Sequence, residues 1–269
     1  MDFKSIAASL KALGYTPRKA DAKIAHDIVL KAIEAAGFHD KVTIKGGVVM
    51  SGMTDAVRRA TLDMDFDFLG YSLGDASVRR FVQRLDRVAS CDIRIDGEIQ
   101  ELKQLEYKGK RINLILTDAA GRSIKTKVDI GVHGNKSIKQ INFHFKVVSD
   151  ESRVVLLVNS KEQIFTEKLK SLLRLGVVST RYKDVYDLFY LCGRVNIKVL
   201  GRYLRMCIFE DEDMLERGIL DIRVRLGRIF SNKAFLRRLA NPDHAWLDEP
   251  VDSVVGTLLG FFQDFGSRS

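Results

Sequence analysis

The hydrophobic period of the chain changes twice. Residues 3–13 and 19–36 place apolar side chains at near-helical spacing, with Ile24, Ile28, Ala32 and Ile33 on one stripe and Gly37 closing the second predicted helix. A short apolar strand at 42–45 then runs into Gly46-Gly47. Residues 48–59 are compatible with a helix that returns toward a strictly alternating segment. After a polar helix around 76–89, extended segments with turn signals at Gly97, Gly109 and 118–121 predict an antiparallel meander whose last strand spans 124–132. From Lys161 onward helical periodicity returns and strands largely disappear. The pattern predicts an α/β (α+β) chain with domains at 1–158 and 159–269, the second all-helical. The boundary falls near 149–152 or just after the apolar strand 154–158.

The alternating segment, R-A-T-L-D-M-D-F-D-F-L at 59–69, holds the first candidate chemistry. Successive strand side chains point to opposite faces, so Asp63, Asp65 and Asp67 share one face and Leu62, Met64, Phe66 and Phe68 the other. Aspartates two residues apart are ~7 Å apart, and at an effective dielectric near 20 each pair repels by roughly 2 kcal/mol. Water on an exposed sheet face offsets that repulsion, and so does a bound divalent cation; the segment alone leaves the two level. The next strand adds a fourth carboxylate, because 124–132 puts Asp129 on a face with Lys125 and Lys127. Gly46-Gly47 permits close approach of a ligand to backbone N–H groups at a helix start, although glycine pairs usually mark plain turns.

Two features of the helical part also stand out. In the helix from Lys161, Lys168 lies on the stripe of Phe165, Leu169 and Leu172, where an apolar side chain is expected; a snorkelling lysine is the ordinary explanation. Asp184, Asp187 and Leu191 follow i, i+3, i+7 spacing, so both carboxylates face one way. Asp184 near a helix start and a Lys183–Asp187 ion pair would be mundane readings, but Asp187 lies among Tyr186, Leu188 and Phe189, and if buried beside Lys168 it would position that amine.

Composition narrows the classes. The 269 residues carry a net charge of +9, of which +6 falls in residues 1–150, favouring an anionic partner without identifying it. Cys91, Cys192 and Cys207 form no C-x-x-C pair, and the five histidines show no zinc spacing, which argues against a disulfide framework and a His-based zinc hydrolase. Charge interrupts the N-terminus and no segment has the length of a membrane span, so a cytoplasmic protein without membrane contact is expected.

Together, I-K-G-G (44–47), L-D-M-D-F (62–66) and V-D-I (128–130) resemble the polymerase-beta-like nucleotidyltransferase superfamily. Within it, K-G-G with R-x-T-x-D-x-D-F, then Glu167-Lys168-Leu169 and R-Y-K-D-V-Y-D-L (181–188), looks like the AbiEii-type abortive-infection toxins. The likeness spans roughly residues 42–191. It implies a nucleotidyltransferase fold, with a mixed, largely antiparallel sheet flanked by helices, followed by a helical bundle. It further implies metal ligation by Asp63, Asp65 and Asp129, and catalytic roles for these with Lys168, Asp184 and Asp187. Nucleotide binding is implied for Lys45, Gly46, Gly47, Arg59, Thr61 and Lys168. Arg59 and Thr61 favour Asp63/Asp65 over Asp65/Asp67 as the ligand pair, leaving Asp67 as an extra. Val48-Val49 after the glycines departs from the small or hydroxyl residues usual there.

The implied reaction is transfer of a nucleoside monophosphate from an NTP with Mg²⁺ or Mn²⁺, by in-line displacement that asks for positioning and charge stabilisation. RNA is the favoured acceptor, the tRNA 3′ end in particular, with Lys103, Lys108, Lys110, Arg111, Lys125 and Lys127 as cations for a polyanion. A protein hydroxyl or a small molecule is the alternative acceptor, a catalytically inactive binding module a third reading, and a cognate antitoxin an implied partner. The choice of NTP and the oligomeric state are left open.

Overall fold

A computed structural model of the chain describes residues 1–104, 107–134, 137–148 and 152–268. It divides into two compact units, Met1–Asn159 and Ser160–Ser269.

The first unit opens with α1 (Phe3–Ala12) and α2 (Pro17–Ala35). Asp2 caps α1 by accepting from the Lys4 and Ser5 backbone N–H groups, and Pro17 sits at the start of α2, where a missing N–H does no harm. After these come β1 (Val42–Lys45), α3 (Gly46–Thr54), β2 (Met64–Phe68) and α4 (Asp75–Val88). The remaining strands are β3 (Asp92–Ile95), β4 (Gln100–Gln104), β5 (Tyr107–Thr117), β6 (Ser123–Val132), β7 (Ile141–Lys146) and β8 (Arg153–Val158). They form one sheet in the order β3-β5-β6-β2-β1-β8-β7, with β4 also paired to β5. Among the described residues only β2–β6 and β1–β8 pair in parallel, so the sheet is mixed and largely antiparallel.

One expectation shortens. The helix after the glycines stops at Thr54 because Asp55 takes a left-handed backbone (φ 51°), and residues 57–59 form a separate 3₁₀ turn.

The period-2 pattern explains the layering. On the apolar face of β2, Phe66 and Phe68 stack with Phe81 of α4 at 5.6 and 5.1 Å between ring centres, and Phe81 meets Phe38 at 4.9 Å. In β6, Ile124, Val128 and Ile130 are buried while Ser123 and Lys125 are exposed, and α2 packs across β6 and β8. The opposite face of β2 and β6 is left to the charged side chains.

The second unit is helical: α5 (Lys161–Leu175), α6 (Tyr182–Cys192), α7 (Ile197–Leu204), α8 (Ile219–Phe230), α9 (Lys233–Leu239) and α10 (Val251–Arg268). Ser160 caps α5 by accepting from the Gln163 N–H, and Phe165 of α5 packs with Phe261 and Phe262 of α10.

Candidate active site

Strand pairing brings together what sequence spacing keeps far apart. The parallel register sets Asp65 beside Asp129 and Asp67 beside Gly131, while the antiparallel register sets Lys45 beside Asp65. Neighbouring strands lie ~4.8 Å apart. Two carboxylates ~5 Å apart repel by roughly 3 kcal/mol at an effective dielectric of 20, more than the same groups do along one strand.

The glycines now have a steric reason. Gly46 adopts φ 64°, and a Cβ there would stand 2.6 Å from Oδ2 of Asp65. A Cβ on Gly47 would lie 2.7 Å from Oγ1 and 2.8 Å from Cβ of Thr61. The start of α3 is therefore pressed against the segment that leads into the acidic strand, and the K-G-G and T-x-D-x-D motifs are two halves of one contact. At that helix start, backbone N–H groups without helical partners favour an anion.

Each carboxylate around Asp65 has a cation. Lys127 Nζ lies 3.0 Å from Asp63 Oδ1, and Lys45 Nζ 2.6 Å from Asp67 Oδ1. Arg111 donates from Nε and Nη2 to the two oxygens of Asp129 at 2.7 and 2.8 Å. The hydrogen bonds to Asp129 hold the Arg111 guanidinium more firmly protonated than usual, and the charges of Asp63 and Asp65 add to this. Asp67 is buried against the half-buried Lys45, and a Cβ on Gly131 would collide with its carboxylate, so glycine makes room for the pair. Asp63 precedes β2 and its side chain is half exposed.

Beneath this face His26 of α2 is buried and hydrogen-bonds the Leu62 backbone, while its Nε2 has no partner. Burial pushes the imidazole pKa down to about 4, with Lys23 acting in the same direction and the Leu62 bond and Asp63 opposing. It is a neutral support for the turn before the acidic strand.

The second unit holds its own cluster. Lys168 Nζ lies 2.5 Å from Asp184 Oδ1 and 2.9 Å from Asp187 Oδ2, and Asp187 is fully buried. The helical spacing of Asp184 and Asp187 turns both toward α5, and Tyr182 of the same helix stacks near Phe235 and His244. Lys168 is thus held by carboxylates within the fold and does not snorkel to water.

The family model for the AbiEii nucleotidyl transferase toxins of type IV toxin–antitoxin systems matches residues 28–219, well over half of the chain. The chain belongs to this family. Among the curated proteins none matches it. Solved structures do, including an antigenic nucleotidyltransferase-like protein from Paracoccidioides brasiliensis, 12% identical, with a TM-score of 0.41 over 78% of this chain and 91% of that one. The protein is a nucleotidyltransferase.

Against that identity the expected site residues divide. Lys45, Gly46, Gly47, Thr61, Asp63, Asp65 and Asp129 gather at the β1–β2–β6 face, and Lys168, Asp184 and Asp187 gather in the helical unit. Arg59, expected on the nucleotide, is enclosed at 3% exposure, and Thr61 packs on Gly47. Lys45 faces Asp67. Among the described residues no three His, Cys, Asp or Glu side chains converge into a ready-made metal cage. The oxygen donors of Asp65 and Asp129, set side by side with Asp63 at the strand mouth, are nevertheless of the hard type that suits Mg²⁺ or Mn²⁺.

The basic residues of the meander are less available than their number implies. Lys110 pairs with Asp75 and Glu101, Arg111 with Asp129, Lys125 with Asp96 and Lys127 with Asp63. Lys103 and Lys108 lie outside the described side chains. Arg111 and Gly131 acquire their importance through cross-strand pairing, which no spacing along the chain signals. The three cysteines are free, burial raises their thiol pKa values, and no described helix is long and apolar enough to cross a membrane.

Proposed function

We propose that the chain transfers a nucleoside monophosphate from an NTP to RNA, with the tRNA 3′ end as the favoured acceptor, in a reaction dependent on Mg²⁺ or Mn²⁺. The observation that carries this reading is the Asp65–Asp129 register, with Gly46 pressed against the Asp65 carboxylate. Asp65 and Asp129, with Asp63 beside them, hold the divalent ion. When bound, it supplies charge neutralisation for the phosphates and acidifies the attacking hydroxyl. The N–H groups at the start of α3 orient phosphate oxygens. Asp184 and Asp187 position the Lys168 amine, whose role is to neutralise phosphate charge. The net positive charge supports a polyanionic acceptor. As a type IV toxin, the chain acts in the cytoplasm beside a cognate antitoxin.

The test is incubation with labelled NTPs, total RNA and total protein, with and without EDTA. Label is expected in RNA, lost with EDTA and lost in Asp65→Asn. Label in protein alone would refute the RNA acceptor, and transfer that survives EDTA would refute the metal. Undiminished toxicity of overexpressed Asp65→Ala would favour the binding-module reading.

A further inference from the structure

The grip of Arg111 on Asp129 occupies both oxygens of a carboxylate that, on the reading above, must ligate a divalent ion. The two residues are direct cross-strand partners of β5 and β6, so sheet geometry enforces the meeting. A guanidinium fork matches a carboxylate bidentately, which leaves few lone pairs facing elsewhere.

Charge bookkeeping points the same way. Asp63, Asp65, Asp67 and Asp129 bring carboxylates to this face, and Lys45, Lys127 and Arg111 set cations against Asp67, Asp63 and Asp129. A divalent ion added on Asp65 and Asp129 with Arg111 still in place would set two cations on one carboxylate.

Exposure separates this pair from the structural ones. The Asp129 and Arg111 side chains are 21% and 31% exposed, whereas Asp187 beside Lys168 is wholly buried. A partly solvated pair of this kind opens at less cost than a buried one.

We propose that Arg111 is the placeholder cation of the metal site: it satisfies Asp129 in the metal-free protein and is exchanged for the divalent ion when the site is loaded. The inference rests on the nucleotidyl-transfer reading. It makes Arg111 a positioning residue that sets how readily the metal enters and keeps the two strand carboxylates from repelling each other while the site waits. The exchange is ionic, with no bond made or broken.

Calorimetric titration with Mn²⁺ alone, on the intact chain without nucleotide, tests it. Arg111→Gln is expected to bind Mn²⁺ roughly fivefold more tightly than wild type, the size of a partly exposed ion pair. Arg111→Lys keeps the charge but cannot grip both oxygens, and is expected to tighten binding about twofold. Asp129→Asn in the Arg111→Gln background should remove the gain. Equal affinities for all Arg111 forms overturn the proposal. So does tightening in Arg111→Gln with none in Arg111→Lys, because the effect is then through-space charge. If wild type and variants all fail to bind Mn²⁺, with and without nucleotide, the metal-dependent reading itself falls and takes this inference with it.

Discussion

Gly46→Ala perturbs the site at its tightest point. Gly46 has φ 64°, and an alanine Cβ would stand 2.6 Å from the Asp65 carboxylate oxygen. Two separable penalties follow. A left-handed backbone costs a non-glycine residue about 1–2 kcal/mol, and forcing a methyl group into occupied space costs about 1–3 kcal/mol more. Gly70 isolates the first penalty, since it has φ 61° with nothing within 4 Å of its ideal Cβ. Gly70→Ala is therefore expected to lower unfolding free energy by about 1–2 kcal/mol and Gly46→Ala by about 2–5 kcal/mol. Urea denaturation followed by circular dichroism gives both values. Nucleotidyl transfer is the second axis: Gly46→Ala displaces the Asp65 carboxylate and should lose at least about tenfold in rate, whereas Gly70→Ala should retain it. Equal destabilisation by the two substitutions, together with retained transfer in Gly46→Ala, would refute the claim that the glycine exists to admit Asp65.

Lys168→Met leaves the fully buried Asp187 without its lysine and is expected to destabilise the chain by about 3 kcal/mol, read from its urea midpoint; Asp187→Asn combined with Lys168→Met should recover part of the loss, and no recovery would mean the pair is not the cause. His26 gives a pH signature. Its folded pKa of about 4 lies below the ordinary 6.5, so the unfolded chain binds the proton first and stability falls as pH drops from about 6.5 toward 4. The full loss is about 3 kcal/mol, taken as the wild-type minus His26→Gln difference so that general carboxylate titration cancels. A difference that is flat across that window would mean the imidazole is already solvated.

Much of this fold was legible because its signals are local. A period of 2 places Asp65 and Asp67 on one face of β2 whatever the rest of the chain does, and a period of 3.6 places Lys168 on the buried stripe of α5 and turns Asp184 and Asp187 the same way. The apolar pattern carries the helix after the glycines to residue 59, five residues past its end at Thr54, since no local signal requires Asp55 to turn left-handed.

What the sequence by itself determined, then, is the inventory and facing of the charged residues: an acidic strand over an aromatic floor, a glycine pair before it, and a lysine and two aspartates in the helical unit. Only the tertiary structure decided which charge meets which. The order β5-β6-β2-β1 sets Asp129 under Arg111 and beside Asp65, and gives Asp67 to Lys45. It also encloses Arg59. The physical reason is that side-chain direction follows from neighbouring residues along the chain, whereas pairing across a sheet depends on strand order and register, which are settled by burying one apolar face between segments far apart in sequence.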